Sequence, residues 1–330
     1  MKKKIIASIV FCVLVVLLIG RVNNILSEKE ANRYMILEDE LARLDEKYEF
    51  QIYGSCHAYT SYIPEIIIKQ TGIKAYNMSN PGEIMPATYL RMFERFKKDI
   101  PKVALVETWG VNPYETYTPT DYILGSYLQS NIESLPLSKE KLEIIEEFED
   151  LDIVSENSRI AKYKSRLLEN SICTIDYYYS FNKANKTVGK NGTDWYYDEM
   201  VRRITNYGYK PYAENELLDY PQRQSVIDEG ESLEIEPDIM KYVEKIIKLC
   251  EEKGVTLIFY RAPYRSTANE LRKANYFAEY CKENNLIFFD LEKEIEYDYS
   301  CDFYDFEHLS KSGAKKSTEF LNAYILEALQ

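Results

Sequence analysis

The residues best suited to chemistry in this chain are its two histidines, and each sits beside other reactive groups. His57 lies in Gly54-Ser55-Cys56-His57-Ala58, directly after the apolar stretch "YEFQIYG". His308 lies in "CDFYDFEHLSKSGAKKSTEFL", three residues after Asp305. In Asp-x-x-His, one turn returns the carboxylate to the imidazole, where it can hold the ring's tautomer and stabilise its charged form. The other ring nitrogen is then free to deprotonate a nucleophile. Ser55 and Cys56 are both nucleophile types, and both need such a base because they are weak at their free pKa. The spacing therefore predicts a triad of Cys56 or Ser55 with His308 and Asp305. The competing role for Asp305 and Ser310 is to cap the helix that follows. His57 is expected to open the first helix and pack beside the site, with contact to substrate as the alternative.

These residues can meet only if the intervening elements bring them together. Apolar runs at 48–54, 74–79, 102–110, 255–264 and 286–291 read as buried strands. Between and after them, 62–72, 85–99, 238–254, 268–285 and 311–329 carry helical patterns, with Pro86 in a first turn and Gly72 and Gly254 as stops. Short apolar strands alternating with helices imply a parallel sheet covered on both faces. In such sheets, sites form where loops leave the carboxyl ends of strands. That rule selects 54–57, 77–82 and 109–112, with Asn77 and Asn80 readable simply as turn residues.

Residues 113–236 break this rhythm. They hold 14 of the 30 tyrosines, too long a stretch for an ordinary connection, and are expected to form an insertion acting as a lid or substrate platform. Trp195, Tyr196 and Tyr197 are the first candidates for stacking on sugar rings, although packing of the insertion's own core would use tyrosines equally well; Trp109, at the third strand's exit, is a further substrate-binding candidate.

Lys2-Lys3-Lys4 precede an apolar run from Ile5 to Gly20, and Arg21 closes it. As a helix the run spans roughly 24 Å, slightly short of a ~30 Å hydrocarbon core, and flanking Lys4 and Arg21 can snorkel. The lysines should stay in the cytoplasm, placing the remainder outside the cell membrane on a single-pass anchor. No small-x-small cleavage site follows, which favours a retained anchor over a cleaved signal peptide. The next segment, 25–47, reads as a charged amphipathic stalk helix.

A formal net charge of −13 argues against nucleic acid as a partner. The six cysteines show no CxxC spacing and no histidine cluster in sequence, so no metal is expected, while an exported chain could form disulfides. No Gly-rich phosphate loop is present, which disfavours phosphoryl transfer.

Together the blocks resemble the SGNH/GDSL hydrolase family. In that family a Gly-x-Ser turn after the first strand carries the nucleophile. A Gly and an Asn from the next two strand exits join the nucleophile's own N–H in an oxyanion hole, and an Asp-x-x-His near the C-terminus completes the triad. The resemblance implies Gly82, from "NMSNPGE", and Asn112, from "WGVNPYE", as oxyanion donors. Gly110 and Asn112 approximate the family's Gly-x-Asn-Asp, with Pro113 replacing the final Asp. The resemblance covers Phe50 to Gly110 and Pro237 to Gln330, and it implies a three-layer, flavodoxin-like SGNH fold. The turn is most similar to membrane-anchored members that begin Gly-x-Ser-His-Ala. Those members O-acylate cell-surface polymers, as in alginate O-acetylation or teichoic-acid D-alanylation.

The resemblance thus implies extracytoplasmic acyl transfer to or from carbohydrate hydroxyls through an acyl-enzyme, without a cofactor. It implies a glycan or teichoic-acid-like polymer as substrate and a membrane-bound O-acyltransferase as partner. A carbohydrate or lipid esterase would use the same residues, and a non-catalytic scaffold subunit is the remaining alternative. The chain departs from the pattern at one place, where Cys56 stands in the position of the attacking serine. Three readings follow: Cys56 attacks, Ser55 attacks through a shifted turn, or the site is inactive and binds. The expected organisation is an anchor at 1–24, a stalk at 25–47, a catalytic domain from 48–112 and 237–330, and the insertion at 113–236.

Overall fold

In the computed structural model, the described residues are 47–116, 138–148, 206–212 and 230–328, together with Lys4, 8–15, 17–18, 127–128, 131–132 and 135–136. Five strands form one all-parallel sheet: β1 (Phe50–Tyr53), β2 (Ala75–Asn77), β3 (Val103–Glu107), β4 (Thr256–Arg261) and β5 (Ile287–Asp290). Their order is β2-β1-β3-β4-β5, the doubly wound order of flavodoxin-like sheets. Every predicted strand is present but shorter than its apolar run, because the run's last residues already turn into the exit loops.

Alternation along the strands divides the core into two layers. Phe50, Ile52, Val103, Leu105, Ile258 and Tyr260 face α2 (Pro64–Thr71) and the C-terminal helix, which spans Lys311–Ala328. Tyr53, Ala104, Val106 and Phe259 face α3 (Met85–Phe96), α5 (Pro237–Lys253) and α6 (Ala268–Glu283). The result is three layers, helix on sheet on helix. Each fully buried Leu, Ile or Phe contributes about 1.5–3 kcal/mol relative to exposure. The predicted glycine stops, Gly72 and Gly254, end α2 and α5. Thr267 and Glu270 close a reciprocal capping box at the start of α6.

Four short helices had no range in the sequence reading. One is α1 (Cys56–Ser61), which begins immediately after β1 and contains His57 in its first turn. Two are single turns, at Pro113–Thr116 and Leu291–Glu294. The last is α4 (Lys139–Glu147), inside the expected insertion. Its residues Glu143 and Glu147 pair with Lys245 and Lys241 of α5, so this part of the insertion is fastened to the helical layer. The segment 206–212 docks elsewhere: Tyr207 O accepts from Asn77 N at 2.8 Å and Lys210 N donates to Tyr59 O at 2.9 Å. That contact lies beside the exit of β2.

Residues 8–15 and 17–18 are helical, with exposed apolar side chains such as Phe11 and Leu18. Among the described residues, no helix is long and apolar enough to cross a membrane. The stalk expected at 25–47 lies outside the described residues except for Lys47, and Trp195, Tyr196 and Tyr197 lie outside them altogether.

Candidate active site

The exit of β1 is forced into a sharp turn. Gly54 adopts φ +132°, and a Cβ there would stand 2.7 Å from the Cβ of Glu107 on the neighbouring strand β3, so only glycine fits. Ser55 then caps α1, its Oγ accepting from His57 N at 3.2 Å. Cys56 is the first residue of α1, and its thiol is displayed at the end of the sheet.

The exit of β2 is knitted to this turn, with Asn80 N donating to Gly54 O at 3.0 Å. Gly82 adopts φ +60°, and a Cβ there would strike the ring of Tyr127. Its N–H is directed at the Cys56 sulfur. The loop is braced from beneath by the buried ion pair of Glu83 with Arg91, 2.9 Å apart. At the exit of β3, Gly110 packs against the backbone of residues 83–85, and Asn112 is buried with its side-chain oxygen lacking a hydrogen-bond partner. Asn112 is therefore placed at the predicted loop, with its side-chain oxygen free of the Cys56 turn.

His308 is held as its spacing predicts. Its Nδ1 lies 2.9 Å from both carboxylate oxygens of Asp305, which also accepts from the backbone N–H groups of Glu307 and His308 at 2.8 Å. Arg265 N, beyond the end of β4, donates to Phe306 O at 2.8 Å and ties this loop to the sheet. With Nδ1 occupied by Asp305, Nε2 is left facing Cys56 and makes no hydrogen bond of ordinary geometry. Cys56 Sγ and ring nitrogens of His57 and His308 all lie within 4.8 Å of one another.

The electrostatics follow from this company. Burial disfavours the Cys56 thiolate, but the fields of His57 and His308 and the Gly82 N–H outweigh it, bringing the thiol down to about 7. Burial also opposes charge on His308, yet Asp305 and the Cys56 thiolate raise it to about 10. The two shifts draw the pair toward thiolate and imidazolium. Cys250 and Cys281 provide the contrast, since burial pushes both up to about 12, with the Glu251 carboxylate adding to the rise at Cys250.

Ser55 and Cys56 are thus placed in different surroundings. Ser55 is fully buried, and its Oγ donates to Glu107 Oε2 at 2.7 Å and meets His57 Nδ1 at 3.0 Å. His57 is also buried, with Nε2 at 3.3 Å from Glu307 Oε2 and its ring stacked on Tyr264 at 4.6 Å. Trp109 is buried beside it, ring to ring at 5.8 Å, and forms a wall of the site. Tyr212, from the docked piece of the insertion, lies 5.4 Å from the His308 ring and stacks on Tyr304 at 4.2 Å.

Three participants were not read from sequence. Glu107 and Glu307 are carboxylates, a residue type usually solvated, and Tyr212 comes from a distant segment. The six cysteines show no histidine cluster in sequence, but the fold brings His308, from the loop before the C-terminal helix, to Cys56 and its chain neighbour His57. Among the described residues the cysteines, including Cys56, are free thiols. The chain matches no protein-family model and no curated protein.

Proposed function

We propose that this protein is an SGNH-like acyl-transfer enzyme with Cys56 as its nucleophile, acting on carbohydrate hydroxyls of a cell-surface polymer. The observation that carries the reading is the placement of the Cys56 sulfur beside an imidazole whose far nitrogen is held by Asp305. The sequence resemblance and the five-stranded order support it further.

In the first half-reaction the Cys56 thiolate attacks the acyl carbonyl carbon. The oxyanion is received by the N–H groups of Gly82 and Cys56 and by the Asn112 amide. His308 gives its Nε2 proton to the departing oxygen, the C–O bond breaks, and a thioester remains. In the second half, an acceptor hydroxyl loses its proton to His308 as it attacks the thioester. The Cys56 thiolate then leaves, and the starting charges are restored. Asp305 keeps the imidazole oriented throughout. With water as acceptor, the same residues make an esterase.

The apolar run Ile5–Gly20 behind three lysines supports an extracytoplasmic, membrane-tethered enzyme, which fits a polymer at the cell surface and delivery of acyl groups by a membrane-bound O-acyltransferase. An activated-ester probe with intact-mass detection tests the reading. One acyl adduct is expected on Cys56, absent in Cys56→Ala and His308→Ala. A protein that never acquires the adduct, yet still supports polymer modification in cells, would establish a scaffold role instead.

A further inference from the structure

Acyl transfer needs one imidazole at Cys56, and the site has two. Both rings are arranged in the same way. His308 Nδ1 is held by Asp305, and His57 Nδ1 meets Ser55 Oγ, which is itself anchored on Glu107. An outer carboxylate that fixes Nδ1, directly or through a hydroxyl, and leaves Nε2 outward is the support that metal-ligating histidines require. His308 Nε2 faces the Cys56 sulfur, and among the described residues the partner of His57 Nε2 is the half-exposed Glu307.

We propose that Cys56, His57 and His308 form a binding site for a borderline-soft divalent cation of the Zn2+ class, with Glu307 as a fourth donor. The inference that the cation then blocks catalysis rests on Cys56 being the nucleophile; the binding itself does not. The donor set is one thiolate, two imidazoles and one carboxylate, a combination that suits Zn2+ and disfavours Mg2+ or Ca2+, which take oxygen ligands. The three S and N donors lie within 4.8 Å of one another. Ligands of a tetrahedral zinc at ~2.3 Å (S) and ~2.0 Å (N) stand about 3.5 Å apart, so the cluster closes by roughly 1 Å. This closure would move His308 together with its partner Asp305, which sits on the same loop. Glu307 is on that same loop, 3.3 Å from His57 Nε2, so the closing movement brings the fourth donor with it. Bound there, the cation holds the sulfur's lone pair and both Nε2 atoms, and the thiolate can no longer attack.

The test uses purified full-length chain stripped with a chelator. Co2+ is titrated while the near-ultraviolet thiolate-to-cobalt absorption is recorded, and Zn2+ is then used to displace it. The expected result is a saturable band that is absent in Cys56→Ala and at least about tenfold weaker in affinity in His57→Gln and Glu307→Gln. Glu307→Gln alters a half-exposed side chain and guards against a result caused by misfolding. In parallel, stoichiometric Zn2+ should slow iodoacetamide alkylation of Cys56 in the unmutated chain by about tenfold or more, with recovery on adding EDTA. No cobalt band, or no protection by Zn2+, overturns the site. Unchanged affinity in His57→Gln overturns the two-histidine arrangement, and unchanged affinity in Glu307→Gln removes the fourth donor. These readouts require no acyl transfer. A chain that binds cobalt but never forms an acyl adduct would sink the enzymatic reading alone, and the reverse result would sink only the cation site.

Discussion

Ser55 Oγ donates to Glu107 Oε2 at 2.7 Å inside a fully buried pocket, one residue away from a thiol that faces His308. That hydrogen bond separates two candidate nucleophiles that the sequence leaves side by side. An oxygen that caps α1, serves Glu107 and meets His57 is committed to structure, and no imidazole backed by Asp305 reaches it. Ser55→Ala should therefore keep the activated-ester adduct while losing stability. The lost cap costs about 1 kcal/mol, and Glu107 Oε2, left with the backbone N–H of residue 55 at 3.4 Å, adds about 1 kcal/mol or more. Thermal unfolding with intact-mass analysis checks both halves. An adduct that disappears in a folded Ser55→Ala protein would restore the serine as attacker.

The thiol should behave as an activated one. With chelator present, the rate of iodoacetamide reaction at Cys56 should rise through pH values around 7, because the thiolate is the reactive form and its fraction grows as pH climbs past the lowered value. Below that value the proton returns and the rate falls. Cys250 and Cys281, held up to about 12, should stay unmodified over the same range in the folded chain. Peptide mapping of the alkylated protein separates the three. A Cys56 profile that rises only near pH 9 would mean that the two histidines do not act on it.

Much of this arrangement was legible beforehand, for reasons that particular residues make plain. Asp305 and His308 are three apart, so their pairing is local and survives any uncertainty about the fold. Their meeting with Cys56 was legible only through topology, because parallel strands send every exit loop to the same sheet edge. Glu107 was invisible as a site residue: it ends the apolar run "KVALVE", and nothing in a single sequence says that a terminal carboxylate will be turned inward beneath Gly54. Glu307 was hidden inside the Asp-x-x-His spacing itself. Tyr212 belongs to a segment whose docking depends on backbone contacts with Asn77 and Tyr59, which carry no side-chain signature. His57 was read as a neighbour of the nucleophile, and it is one, but its ties to Ser55 and Glu307 are long-range or buried and could not be read from adjacency.

Asp305→Asn should separate orientation from charge. The amide can still approach His308 Nδ1, but it cannot stabilise the imidazolium as the carboxylate does. Adduct formation should slow by roughly 10²-fold or more, within the range that general acid–base groups contribute. Because Asp305 also accepts from the Glu307 and His308 N–H groups, circular dichroism should accompany the kinetics. A folded Asp305→Asn protein that labels at the original rate would remove Asp305 from the mechanism.

The ion pair beneath the Gly82 loop gives a test that links fold to site. Arg91 and Glu83 are both fully buried, Arg91 Nε meeting Glu83 Oε2 at 2.9 Å while Thr88 donates to the other oxygen at 3.0 Å. Arg91→Met takes the guanidinium away from the buried Glu83 carboxylate, a loss of about 3–5 kcal/mol. It also frees the Asn131 carbonyl, which Arg91 Nη2 contacts at 3.2 Å. Glu83 directly follows Gly82, so the loop that aims an N–H at Cys56 should loosen in step. The double replacement Glu83→Leu with Arg91→Met removes both charges and should recover part of the stability, since apolar pairs of similar volume are often neutral replacements. Denaturant unfolding of the single and double variants measures the first effect, and the pH profile of Cys56 alkylation measures the second. If the loop holds the thiolate as described, the single variant shifts that profile to higher pH. A profile that stays in place while stability falls would confine this pair to the core.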